Sequence, residues 1–373
     1  MMKKIILFTG LAILLAACAE KPGYKISGTV ADATLNGQYV YLYPYGERDA
    51  APLDSALVSN ETFAFAGVQE TPALRVLRFS SEVVEPARTT SGLNAPFSAI
   101  FTLENAKLAA VLDKNSSVTG TPENDAFAAF QKELIVLKDQ IEAVFTNANE
   151  EDTESMKAAE AEYMKLAEKQ SGIAKAYLLS NKDKLIAGKT LYDFRYELNE
   201  EDQNAILLQA DSVFKSAPGV DRLIAHLDIL KTVAVGQKFT DFEMADMKGE
   251  VKKLSDYVGQ GKYVLVDFWA SWCGPCRREI PNMVEAYKKY KAKGFEIVGI
   301  SLDNDKDAWV KGTKDLGITW PQMSDLKGWQ NAGAAIYGVN SIPHVLLIDK
   351  EGTIIAKNLH GEELNKKLEE LFK

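Results

Sequence analysis

Residues 268–281 read FWASWCGPCRREIP, and the reading of this stretch decides the fold of the C-terminal third of the chain. Cys273 and Cys276 stand two residues apart. Ahead of them, "KYVLVDFWA" is a near-continuous apolar run, as expected of a strand covered on both faces of a sheet. Behind them, Arg277, Arg278, Glu279 and Ile280 read as a helix. Cys273 therefore falls at a helix N-terminus, where the dipole and the unpaired backbone N–H groups stabilise a thiolate. Pro275 suits a first helical turn because its missing N–H had no partner to lose. Cys276 lies in that first turn, within reach of Cys273. A pair so spaced can clip a metal, staple the chain or cycle between dithiol and disulfide. Zinc sites usually need four ligands. The chain has only one further cysteine, Cys18, and its histidines, His226, His344 and His360, are scattered.

The pattern around the pair is α/β. "FEIVGISLD" is a second buried strand, and "PHVLLIDKEGTIIAKNL" is a hairpin turning at Lys350-Glu351-Gly352. Helical stretches are expected after Cys276, around 305–316, around 329–337 and from about 362 to 372. This region runs from about residue 233 to 373. From 121 to 232 apolar residues recur at helical spacing and Glu/Lys pairs stand at helical offsets, which predicts a helical segment. From 24 to 120 seven short runs, from "YKISGTV" to "LAAVLDK", alternate between turn residues and predict a small antiparallel sandwich-like domain. Tyr39, Tyr41, Tyr43 and Tyr45 share one face of one strand, half-buried or open to a peptide or sugar. His226 lies on an amphipathic segment and reads as structural.

With 373 residues, two or three domains are expected. A formal net charge of −9 argues against nucleic acid as a partner. The first 17 residues join a basic end to an apolar run too short to cross a membrane, the layout of an export signal. Leu15-Ala16-Ala17-Cys18 resembles the lipobox of bacterial lipoproteins. That resemblance implies cleavage before Cys18, lipid on its sulfur, a linker over 18–23 and a periplasm-facing envelope protein. Ala19 in place of Asp points to the outer membrane. The mature chain would be anchored to a membrane and not span it.

"VLVDFWASWCGPC" is close to the thioredoxin signature, and the region from about 236 to 373 resembles the TlpA/ResA branch of envelope thiol–disulfide oxidoreductases. The resemblance implies a thioredoxin fold in which Cys273 attacks, Cys276 resolves, and Trp272, Gly274, Pro275, Ile342 and Pro343 meet the substrate. Pro281 matches the proline that kinks the family's active-site helix, and Pro343 matches its cis-proline. Asp267 lies in a strand apolar on both faces, where a carboxylate is costly and its pKa is driven upward. It matches thioredoxin's buried proton relay. Glu279 matches the active-site acid of ResA-type proteins. Having both acids departs from the ResA pattern and leaves the proton route open. His344, after the proline, could tune Cys273.

The β region resembles a domain of unknown function that often precedes thioredoxin domains in envelope lipoproteins. Gly274-Pro275 matches thioredoxin, whose potential is about −270 mV against about −120 mV for the oxidant DsbA, and so leans reducing. No nicotinamide or flavin fingerprint and no metal site are present, so the redox centre would be the cysteine pair itself, fed by a DsbD-type membrane conduit. Clients would be envelope proteins, cytochrome c maturation among the compatible pathways. Two rivals remain. One is a peroxiredoxin-like peroxidase, whose Pro-x-x-x-Thr-x-x-Cys context is missing. The other is a peptide-, glycan- or client-binding lipoprotein with the redox domain in support.

Overall fold

The structure is a computed structural model. It describes residues 23–373 apart from 48, 49, 88, 150 and 151. Cys18 and the lipobox lie outside the described residues. The chain divides into two compact units, one ending at Asp221 and the other beginning at Arg222.

The first unit opens with eight strands: β1 (Tyr24–Val30), β2 (Tyr39–Pro44), β3 (Asp54–Leu57), β4 (Thr62–Gly67), β5 (Ala73–Arg78), β6 (Ser98–Leu103), β7 (Lys107–Leu112) and β8 (Ser117–Thr119). They form two four-stranded sheets, ordered β4-β1-β7-β8 and β3-β2-β5-β6. Buried and exposed residues alternate strictly along β1 and β7. The buried sets of both sheets, among them Ile26, Phe65 and Leu108 from one and Val40, Leu77 and Phe101 from the other, make one core. Among the described residues of this unit all pairings are antiparallel but one, since β1 runs parallel to β7. Alternation reveals which face of a strand is buried and not which strand lies beside it, so this pairing was not legible. Three-residue β8 was too short to show a period. The tyrosine stripe is a strand face that runs from exposed Tyr39 to half-buried Tyr41 and Tyr43, with Arg78 lying 4.2 Å over the Tyr43 ring. Tyr45 falls just past the strand.

Helices α1 (Pro122–Thr146), α2 (Thr153–Ser180), α3 (Leu185–Asp193), α4 (Glu200–Gln209) and α5 (Ser212–Lys215) follow. Thr121 caps α1 and Pro122 opens it. Asn124, fully buried, accepts at Oδ1 from Thr102 N–H at 3.0 Å and donates from Nδ2 to Thr102 C=O at 2.8 Å. Its amide thus stands in for a neighbouring strand and closes the free edge of β6. Helix α6 (Val220–Thr232) carries the boundary between the units.

The second unit holds a two-stranded hairpin, β9 (Glu243–Ala245) and β10 (Val251–Lys253), and a central sheet. The sheet contains β11 (Tyr263–Trp269), β12 (Phe295–Ser301), β13 (Gln322–Met323), β14 (His344–Ile348) and β15 (Ile354–Lys357), in the order β13-β12-β11-β14-β15. Helix α7 (Gly274–Tyr290) links β11 to its parallel neighbour β12, and α8 (Lys306–Asp315) links β12 to parallel β13. Short α9 (Ala332–Ile336) precedes β14, which pairs antiparallel with β11 and β15, and α10 (Gly361–Leu371) ends the chain. All of β12 and β14 is buried, and all of β11 after Tyr263, which explains their unbroken apolar sequences. The C-terminal third is thus a thioredoxin-like α/β fold: the α/β pattern is read from the sequence, and the thioredoxin fold is the one its resemblance to that family implies. The short β9, β10 and β13 were not foreseen.

Gln322 joins this core by chemistry and not by hydrophobicity. Its Oε1 accepts from the buried indoles of Trp269 at 2.9 Å and Trp309 at 3.4 Å. Gly299 on β12 makes room, since a Cβ there would stand 2.1 Å from the Gln322 amide. Gln322→Leu leaves two buried donors unpaired, each at about 1–3 kcal/mol. A loss of about 2–4 kcal/mol in unfolding free energy is expected from urea titration.

Candidate active site

Strand β11 ends at Trp269, and the chain turns through Ala270, Ser271 and Trp272 into Cys273, the N-cap of α7. The two sulfurs are bonded, with an S–S distance of 2.03 Å and Cα atoms 5.3 Å apart. The Cys276 N–H, in the first turn, points at Cys273 Sγ from 3.2 Å. The same amide would stabilise negative charge on that sulfur once the bond is reduced. Cys273 is 4% and Cys276 2% exposed, while Trp272, Gly274 and Pro275 around them are open to solvent. Pro281 sits inside α7, where it removes one helical bond without ending the helix.

The antiparallel register of β11 and β14 sets Phe268 opposite His344. The residues just before β14 are therefore delivered to the end of β11 where the cysteines begin. The Ile342–Pro343 peptide is cis, as expected. The Ile342 carbonyl oxygen lies 3.8 Å from Cys273 Sγ. A bonded sulfur has no proton to give, so this is a contact and not a hydrogen bond. Ile342 and Pro343 are both partly exposed.

Asp267 is 2% exposed, and its Oδ2 has no hydrogen-bond partner. Burial, and after it the charge of Glu279, push its pKa up to about 7. Glu279 is half-buried and anchored. Its Oε1 accepts from Gly361 N–H at 2.8 Å and from Asn282 Nδ2 at 3.2 Å, tying α7 to the start of α10. The structure thus brings both acids together electrostatically, and gives Glu279 a structural bond that its sequence position did not reveal. His344 is buried against the Phe268 ring edge. Desolvation, then Lys357 and His360, lower its pKa to about 4, so it is neutral at ordinary pH and supplies no charge to Cys273.

Two neighbours of the site escaped the sequence reading. Asp303, 1% exposed, accepts from Ser271 N–H at 3.0 Å and Ser271 Oγ at 2.6 Å, and from Ser301 Oγ at 2.8 Å. It fixes the turn that carries Trp272 and Cys273. Trp329 places its ring centroid 6.1 Å from that of Trp272. Both residues lie far from the cysteines in sequence, and neither carries a local signal. Among the described residues no cluster of His, Cys, Asp or Glu could hold a metal ion.

Residues 235–357 match the model of the AhpC/TSA family, and residues 24–127 match a domain of unknown function, DUF4369. The ResA thiol–disulfide oxidoreductase of Geobacillus kaustophilus is 37% identical over 142 residues, which cover 37% of this chain and 79% of that protein. The chain belongs to the ResA-like thiol–disulfide oxidoreductases. ResA of Bacillus subtilis is 31% identical over 125 residues, 34% of this chain and 67% of its own. The thioredoxin domain of a Bacteroides vulgatus thiol-disulfide oxidoreductase is 35% identical, over 38% of this chain and 99% of that one, with a TM-score of 0.35. This ResA-like chain is thus a thioredoxin-family protein with an active-site disulfide and a DUF4369-like N-terminal region.

The raised pKa of Asp267 has a signature in stability. Between its ordinary value of 3.8 and about 7 the folded protein holds a proton that the unfolded chain has released. Stability therefore falls as pH rises through that window and levels off above it. Asp267→Asn removes this contribution. Urea unfolding of the oxidised protein, taken from below pH 4 to above pH 7, should give the variant a shallower decline than the wild type.

Proposed function

We propose that the protein is a lipid-anchored envelope reductase of protein disulfides. The observation that carries this reading is the Cys273–Cys276 disulfide at the N-terminus of α7. The Cys273 thiolate attacks a client disulfide. One client sulfur leaves as a thiolate and takes up a proton, and the other forms a mixed disulfide with Cys273. Cys276 loses its proton and attacks Cys273 Sγ. The second client thiolate departs, and the Cys273–Cys276 bond closes. Two electrons have passed from the cysteine pair to the client. Trp272, Gly274, Pro275, Ile342 and Pro343 form the rim against which the client segment lies.

Asp267 is the group we assign to the Cys276 proton. Its pKa near 7 suits proton exchange at neutral pH. Glu279 is held by Gly361 and acts on Asp267 through its charge. Asp267→Asn should slow release of a preformed mixed disulfide by about 100-fold or more at pH 7. Glu279→Gln should chiefly shift the pH at which that step turns on, downward, because it removes a neighbouring negative charge. Quenched-flow measurement of both variants separates the roles.

The Gly-Pro dipeptide supports reduction over oxidation, and a reductase outside the cytoplasm needs electrons from a membrane conduit of the DsbD type. The resemblance of residues 15–18 to a lipobox supports the anchor at Cys18 and an outer-membrane location. Among the described residues no helix is long and apolar enough to cross a membrane. In this reading residues 24–120 and 121–232 are the β domain and helical segment that precede the thioredoxin-like domain at 233–373, and cytochrome c maturation is one compatible pathway.

The AhpC/TSA match supports one rival, a peroxidase. Against it, the positions seven and three before Cys273 hold Val266 and Ala270, where a peroxiredoxin nucleophile has Pro and Thr. One variant tests both readings. Cys276→Ser should accumulate mixed disulfides between Cys273 and envelope proteins, resolved on non-reducing gels. Peroxide turnover by this variant without any trapped client would select the peroxidase.

A further inference from the structure

Trp272 and Trp329 are 53% and 52% exposed, whereas Trp269, Trp309 and Trp320 are buried. Their ring centroids stand 6.1 Å apart with the planes tilted by 55°. Two adjacent indoles in water form an apolar patch of the kind that marks a binding surface. The patch begins at the residue next to Cys273, where any client disulfide must arrive.

The patch rests on a rigid base. Trp329 lies in a single turn, Gly328–Gln330, between β13 and α9. The next residue, Asn331, is fully buried and donates from Nδ2 to Ser301 C=O at 3.3 Å and to Asp325 Oδ1 at 3.1 Å. Asp325 Oδ2 in turn accepts from Ala332 N–H at 3.0 Å. Ser324 Oγ donates to the same Ser301 carbonyl at 2.8 Å. Ser301 also donates to Asp303, which holds Ser271 and with it Trp272. One buried polar corner at the end of β12 therefore fixes the two backbone segments that carry the indoles. Segments held in this way have little backbone freedom left to lose when a client binds.

Resting on the reductase reading above, we propose that Trp329 and Trp272 together form a platform that selects client disulfides flanked by a large apolar side chain, above all an aromatic one. An extended client advances about 3.3 Å per residue. A side chain within two residues of the attacked cysteine therefore reaches over both rings. Trp329 is the specificity-determining member, because it lies outside the Cys-x-x-Cys motif and meets that motif only through the ring of Trp272.

The test uses the full chain, reduced beforehand, and two synthetic peptides. Each peptide carries one disulfide, and they differ only in having Trp or Ser beside the attacked cysteine. Second-order rate constants come from acid quenching and thiol alkylation. The wild type should prefer the Trp peptide by about tenfold, as expected of an aromatic contact of about 1.5 kcal/mol. Trp329→Ala should bring the ratio close to one, and Trp329→Phe should keep part of it. The phenylalanine variant preserves the test if the alanine variant fails to fold. A wild-type ratio near one, or a ratio unchanged in Trp329→Ala, overturns the platform while leaving the reductase intact. If the wild type reduces neither peptide, the reductase reading fails and the platform falls with it.

Discussion

The structure of the redox unit depends on one constraint: β11 is paired on both sides and buried on both faces. Parallel pairing with β12 requires a crossover, and α7 is that crossover. The helix must therefore begin where β11 ends, which puts Cys273 at its N-cap. Antiparallel pairing with β14 brings Ile342–Pro343 to the same place from the other side. Burial of the strand also explains Asp267. A carboxylate carried into that interior without a partner for Oδ2 holds its proton up to about pH 7.

The site combines groups with different duties. The disulfide and the amide of Cys276 supply the chemistry. Asp303, Ser301, Ser324 and Asn331 form a buried polar corner that holds the loops in place, with half-buried Ser271 bonded to its edge. Such a corner is favourable because its members satisfy one another, and an incomplete one would be costlier than an apolar core. Glu279 belongs partly to each group, bonded to the start of α10 yet near enough to raise the pKa of Asp267. His344 belongs to neither, because burial keeps its imidazole neutral.

The first unit is organised by different means. Its sheets face one another over a shared apolar core, and a free edge is closed by a side-chain amide, Asn124 on Thr102. That bond joins the β domain to the first of the helices, so the two textures seen in the sequence form parts of one unit.

Much of this was legible in the sequence, because local rules govern it. Unbroken apolar runs marked β11, β12 and β14, and alternation marked the strands of the first unit. The spacing of Cys273, Pro275 and Cys276 placed the pair in a first helical turn. Asp267 announced itself as a charge inside an apolar strand. Tertiary structure alone decided what depends on distant partners. It set the parallel β1–β7 pairing, since alternation does not name a neighbour. It bonded Glu279 to Gly361, and it gave the turn at Ser271 to Asp303, 32 residues away. It also set Trp329 beside Trp272. The physical reason is common to these cases. A side chain's period and its backbone preferences are written in its near neighbours, whereas its hydrogen bonds and charges are settled by whatever the fold brings within a few ångströms.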